Sequence, residues 1–95
     1  MFNKLKQIKD MRDKAKRMQG ALKDESAEGS GGWGKVKVKM SGNQELLDIV
    51  IDPSLINPAD APKLSGAIKE AVNDALKKVQ RIMVEKMRSM GELKF

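Results

Sequence analysis

The chain has 95 residues and a net charge of +6, with no His, no Cys and no Tyr. Those absences exclude the usual general base near neutral pH, a thiolate nucleophile, a disulfide framework and the common soft metal ligands. A chain of this length makes one domain, residues 1–95, with a modest core, and points to a binding protein and not an enzyme, with no cofactor, no metal and no small-molecule substrate.

Residues 3–23 have the pattern of a helix. Leu5, Ile8, Met11, Ala15, Met18 and Leu22 recur every three or four positions, a narrow heptad seam that calls for a partner helix. Gly20 interrupts it at a cost of roughly 1 kcal/mol relative to Ala. The segment holds eight cations and two anions, which account for the whole excess charge. Lys9, Arg12, Lys16 and Lys23 fall within ~60° on one flank of the seam, counting 100° per residue. Asp10 and Asp13 lie elsewhere and are spaced to pair with Lys6, Lys14, Lys9 and Arg17. An ordinary solvated face is the plain alternative, but so lopsided a charge favours a polyanion. Lys4, Lys9, Arg12, Lys16, Arg17 and Lys23 are therefore candidate phosphate contacts. An anionic membrane is the weaker alternative, because the apolar stripe is narrow and Phe2 is its only aromatic anchor.

Residues 24–34 are rich in Gly and Ser and are expected to form a flexible link, with room for a short extra strand. Gly29 to Lys35 matches the spacing of a phosphate-binding loop. However, Val36 replaces the Ser or Thr that would hold magnesium, and the segment enters a strand where a helix should open. Trp33 suits a plug in the core or in a dimer interface. Base stacking is the lesser alternative, since stacking platforms use several aromatics.

Residues 35–40 and 45–52 form the arms of a β-hairpin around a two-residue Gly42-Asn43 turn. In that register Lys37 faces Asp48, Val36 faces Ile49 and Val38 faces Leu47. Val36, Val38, Leu47, Ile49 and Ile51 make one apolar face. The ladder of Lys35, Lys37 and Lys39 fits a solvated face that discourages edge pairing.

Residues 53–62 contain all three prolines and form a connection. A second helix runs from about Ala61 towards Met90, with Asp60 as a cap and Pro62 in its first turn. Near its end Lys77, Lys78, Arg81, Lys86 and Arg88 face Glu85 alone. The helix dipole accounts for one or two of these cations. The rest add a second candidate phosphate surface.

The order helix, hairpin, helix is an α+β architecture with a small antiparallel sheet. At ~1.5 Å per residue the helices span roughly 30 and 43 Å. A compact chain of this length has a radius of gyration of only ~12 Å, so the second helix must overhang. Ile82, Met83, Met87 and Met90 on the overhang need cover, and a second copy of the chain is the simplest cover, with Val79, Ile82, Met83 and Met87 as the expected dimer seam. A Met-rich seam also suits an adaptor or chaperone-like dimer, the main alternative to duplex DNA binding. The charged opening lacks a signal-like apolar run, and the cytoplasm is the expected compartment.

Three strings carry a resemblance. They are Glu28-Gly-Ser-Gly-Gly-Trp-Gly-Lys-Val-Lys-Val at 28–38, Leu47-Asp-Ile-Val-Ile-Asp-Pro-Ser-Leu-Ile at 47–56 and Ala71-Val-Asn-Asp-Ala at 71–75. Their order and spacing, with the Met- and Lys-rich opening helix, resemble the YbaB/EbfC family of bacterial nucleoid-associated proteins. The resemblance implies an intertwined homodimer with long projecting helices that binds DNA with weak or variable sequence preference. The chain departs by carrying Trp33 where a smaller aliphatic residue is usual, and by ending soon after the second helix.

Overall fold

The structure, a computed structural model, describes residues 2–91, with side chains from Leu5 onward. Helix α1 (Phe2–Lys23) leads into strands β1 (Ser26–Gly31), β2 (Val36–Ser41) and β3 (Leu46–Ile51). Two single 3₁₀ turns, Pro53–Leu55 and Pro58–Asp60, then connect to helix α2 (Ala61–Ser89). The strands form an antiparallel sheet in the order β1-β2-β3. The fold is α+β, as expected, and the Gly-rich segment, expected to be a flexible link with room for a short extra strand, holds that strand as β1.

That strand owes its place to tertiary contact. Gly29 and Gly31 point inward, and a Cβ on either would overlap the backbone of α2 at Ala71, Ala75 or Ala67. Ala67, Ala71, Ala75 and Val79, spaced by four along α2, present a flat row onto which the glycine backbone closes. Small residues on both sides permit a helix–strand approach that larger ones would block. Val36, Val38 and Met40 of β2 complete the core with Leu55, while Ile51, Leu64, Ile68, Val72 and Leu76 pack at its margin. Each fully buried Val or Leu contributes about 1.5–3 kcal/mol.

The hairpin register differs from the expected one by two residues. Val36 pairs with Ile51, Lys37 with Val50, Val38 with Ile49 and Lys39 with Asp48. Two one-residue steps produce the shift. The loop has three residues: Ser41 donates its N–H to the Glu45 carbonyl at 2.8 Å, and Gln44 closes it with a left-handed φ of 66°. Gly42 is pressed beneath the Leu22 carbonyl, where a Cβ would not fit, so α1 shapes this turn. Leu47 is then left as a bulge between the Met40–Leu46 and Lys39–Asp48 pairs. One step would turn every β3 side chain over, and two restore the original faces.

The expected apolar face is only partly covered. Val36 and Val38 are buried and Ile51 is half-buried, but Leu47 and Ile49 remain exposed because α2 lies over β1 and β2. At the start of α2, Asp60 occupies the cap position without accepting a helix N–H. Its carboxylate instead accepts from Asn57 Nδ2 at 2.8 Å.

The molecule is elongated, 63 × 25 × 21 Å, with a radius of gyration of 18.1 Å. Among the described residues only the end of α1 is docked. Leu22 is 2% exposed and Met18 half-buried, whereas Leu5 and Met11 are 71% and 70% exposed.

Candidate nucleic-acid interface

Along α1 the seam docks only at its last turn, which leaves the cations before it standing clear of the sheet. Lys9, Arg12, Lys16, Arg17 and Lys23 are all exposed. Among the described residues none of them takes part in an ion pair, and Asp13 forms no pair with Lys9 or Arg17 despite the spacing. Their charge is therefore presented to solvent without internal compensation. The Lys4 side chain lies outside the described residues.

Lys16 and Lys23 line an open cleft of about 540 Å³ between α1 and the β2–β3 turn, together with Gln19, Gly20, Asn43 and Glu45. Asn43 Nδ2 donates to the Gln19 carbonyl at 3.3 Å and spans that cleft. The two lysines are one heptad apart on a helix face, and the turn brings the Asn43 amide beside them. Sequence reasoning missed Asn43 because its position depends on the three-residue loop.

The α2 cations divide into two sets. Lys77, Arg81 and Arg88 line one shallow groove of about 470 Å³ with Gln80, Val84 and Glu85. Lys78 and Lys86 face elsewhere. Lys78 Nζ donates to the Glu28 carbonyl at 3.0 Å and lies 3.2 Å from Asp74 Oδ2. Lys86 Nζ lies 3.1 Å from Glu25 Oε1 and ties α2 to the segment after α1. Gln44 Nε2, 3.6 Å from Met83 Sδ, adds a contact at the same end. The far half of α2 and the whole of α1 thus depart from one end of the sheet.

Of the residues expected in a dimer seam, Val79 is fully buried in the chain's own core and has no surface left for a partner. Ile82, Met83 and Met87 are half-buried. Trp33 is wholly exposed, which overturns the reading of it as a core plug. The glycines around it belong to β1 and to a β-turn, closed where Lys35 donates its N–H to the Gly32 carbonyl at 3.2 Å. No helix opens there, so the helix N-terminus that such a phosphate-binding loop feeds is absent from this segment. Among the described residues no group of three or more acidic, His or Cys side chains is placed to hold a metal. No described helix is long and apolar enough to cross a membrane.

A small α+β unit with a basic helical arm and a Gly-rich strand under an Ala-rich helix is thereby defined. The chain belongs to the YbaB/EbfC DNA-binding family, whose model matches residues 1–93. It is 38% identical over 86 residues to a nucleoid-associated protein of Syntrophobacter fumaroxidans, covering 90% of this chain and 78% of that one. It is 37% identical over 95 residues to a nucleoid-associated protein of Pelotomaculum thermopropionicum, covering 99% and 90%. A crystal structure of an uncharacterized protein from Helicobacter pylori superposes with a TM-score of 0.68 at 27% identity, covering 95% of this chain and 96% of that one.

Proposed function

We propose that this chain is a nucleoid-associated homodimer that grips duplex DNA, mainly through phosphate contacts and with little sequence specificity. The single observation that carries the reading is the uncompensated row Lys9, Arg12, Lys16 and Lys23 on an arm that stands away from the sheet. Six excess charges on such an arm favour a polyanion over a solvated face. The DNA-binding family supports DNA as that polyanion, and the names of the relatives support the nucleoid as the location. Lys77, Arg81 and Arg88 offer a second phosphate surface. The chain's chemistry is that of binding and not catalysis, given the missing His, Cys and Tyr.

A second copy answers two open features of the fold. Asp52 donates its N–H to the Lys35 carbonyl, so Ile49 and Ile51, out of phase with it, turn their backbone groups to the free edge of β3. Beside that edge α2 carries the half-covered row Leu64, Ile68, Val72 and Leu76. Antiparallel pairing of β3 with its symmetry mate builds a six-stranded sheet with both α2 helices on one face. It covers Ile49 and that row together. Ile82, Met83 and Met87 extend the seam along the overhang.

The test is fluorescence anisotropy of labelled random-sequence duplexes at two salt concentrations. Binding that is similar for all duplexes and is abolished by salt supports the reading. Salt-insensitive capture of apolar peptides, without DNA binding, would favour a Met-lined adaptor instead.

A further inference from the structure

Trp33 is the chain's only tryptophan, and it is wholly exposed at 102%. It does not hang on a loose loop. Gly32, Trp33 and Gly34 are three successive left-handed residues, with φ of 59°, 59° and 84°. For Trp that conformation is strained, and strain of this kind concentrates where a side chain has a task. The turn beneath is anchored. Gly32 packs against Ala67 of α2, Lys35 closes the turn onto Gly32, and the Lys35 carbonyl accepts the Asp52 N–H at 2.7 Å. A rigid hairpin tip therefore holds the indole out into solvent. Lys35 and Lys63 flank it along an open groove walled by Leu55, Ala67 and Glu70. Lys63 is well exposed, at 3.9 Å from Asp60.

In a single chain this tip and the basic arm are at opposite ends of the sheet. Strand β1 starts at Ser26, beside the end of α1, and finishes at Gly31, beside Trp33. A twofold axis perpendicular to the sheet, required by antiparallel β3–β3 pairing, reverses that relation between copies. Each Trp33 then lies at the end from which the partner's α1 and the overhang of its α2 depart. We infer that Trp33, flanked by Lys35 and Lys63, is a second DNA contact that one copy supplies to the duplex gripped by its partner's basic helices. The indole acts as an apolar wedge against a base step, and the two lysines meet the adjoining phosphates. This inference rests on the dimeric DNA-binding reading above.

The lone Trp makes the test direct. A random-sequence duplex is titrated into the protein, with Trp emission followed alongside the anisotropy of the labelled duplex. Quenching of Trp33 over the same range as binding is expected. Trp33→Gly suits the left-handed backbone, so the fold is retained by circular dichroism. It should bind about tenfold more weakly with an unchanged salt slope, because the indole carries no charge, and Trp33→Phe should recover most of the loss. Lys63→Ala should flatten the slope by up to ~2, one phosphate on each of two copies. If the duplex binds while emission stays constant and Trp33→Gly binds as the native chain does, the inference fails and the DNA-binding reading stands. If emission shifts on raising protein concentration alone and DNA adds nothing, Trp33 is buried between copies and the inference is overturned. If no duplex binds at all, both readings fall.

Discussion

The Asp74 carboxylate accepts the backbone N–H of Ser30 at 3.0 Å, across the gap between α2 and the outer edge of β1. One helical turn on, Lys78 reaches the Glu28 carbonyl on the same edge, also at 3.0 Å. Helix α2 thus satisfies β1 along the side that has no neighbouring strand and blocks pairing there. Among the described residues strand β3 has no such cover, only the Asp48 carboxylate meeting the Ile49 N–H at 2.9 Å. The sheet is closed on one edge and open on the other.

Acid should loosen this arrangement. The Ser30 N–H, then Lys78, hold the Asp74 carboxyl below its ordinary value of 3.8, and the Ser54 backbone N–H does the same for Asp52. Between the lowered and the ordinary value the unfolded chain binds more protons than the folded one. The stabilisation is therefore complete above 3.8 and is lost as pH falls through the folded-state values. Urea midpoints should be flat near neutrality and drop in that acid window, and Asp74→Asn should reduce the drop.

The glycine strand is testable by volume. Gly29→Ala or Gly31→Ala places a methyl group on the backbone of α2 and should cost about 1–3 kcal/mol or more, read from urea unfolding. Gly20→Ala, in open space on α1, should instead stabilise by up to about 1 kcal/mol.

Light scattering should give about twice the 10.5 kDa chain mass. Ile49→Lys with Ile68→Asp should split or unfold the dimer, because both bury charge in the seam beside β3. Ile82→Asp with Met83→Asp should likewise split or unfold the dimer, because these residues extend the seam along the overhang. A folded monomer of the native chain at micromolar concentration would count against dimerisation.

A dimer presents two copies of Lys9, Arg12, Lys16 and Lys23, or about eight phosphate contacts, and counterion release then gives a slope near −7 in log K against log salt. A fourfold rise in salt should weaken binding by about four decades. Lys9→Ala, Arg12→Ala and Lys16→Ala together should flatten the slope by up to ~6 and weaken all duplexes about equally, since phosphate contacts carry no base information. The fold should survive, because all three side chains are exposed. Unaltered DNA binding by this variant would shift the grip to Lys77, Arg81 and Arg88.

Much of this molecule was legible in local pattern. The heptad seam of α1, the alternation of β2, the apolar run of β3 and the long face of α2 each repeat with the period of their own element, so these four elements, their order and the α+β class followed from the sequence by itself. So did the charged flank of α1, because residues at helical spacing share a face wherever the helix lies. Tertiary contact decided the rest. The Ser26–Gly31 segment has the composition of a linker, and it is a strand only because Ala67, Ala71 and Ala75 let the helix backbone close on Gly29 and Gly31. The register was set by α1 pressing on Gly42 and by the Leu47 bulge, neither visible in the alternation of apolar residues. Engagement of Lys78 and Lys86, exposure of Trp33 and burial of Val79 depend on which elements meet in space, and residues distant along the chain settle that through packing.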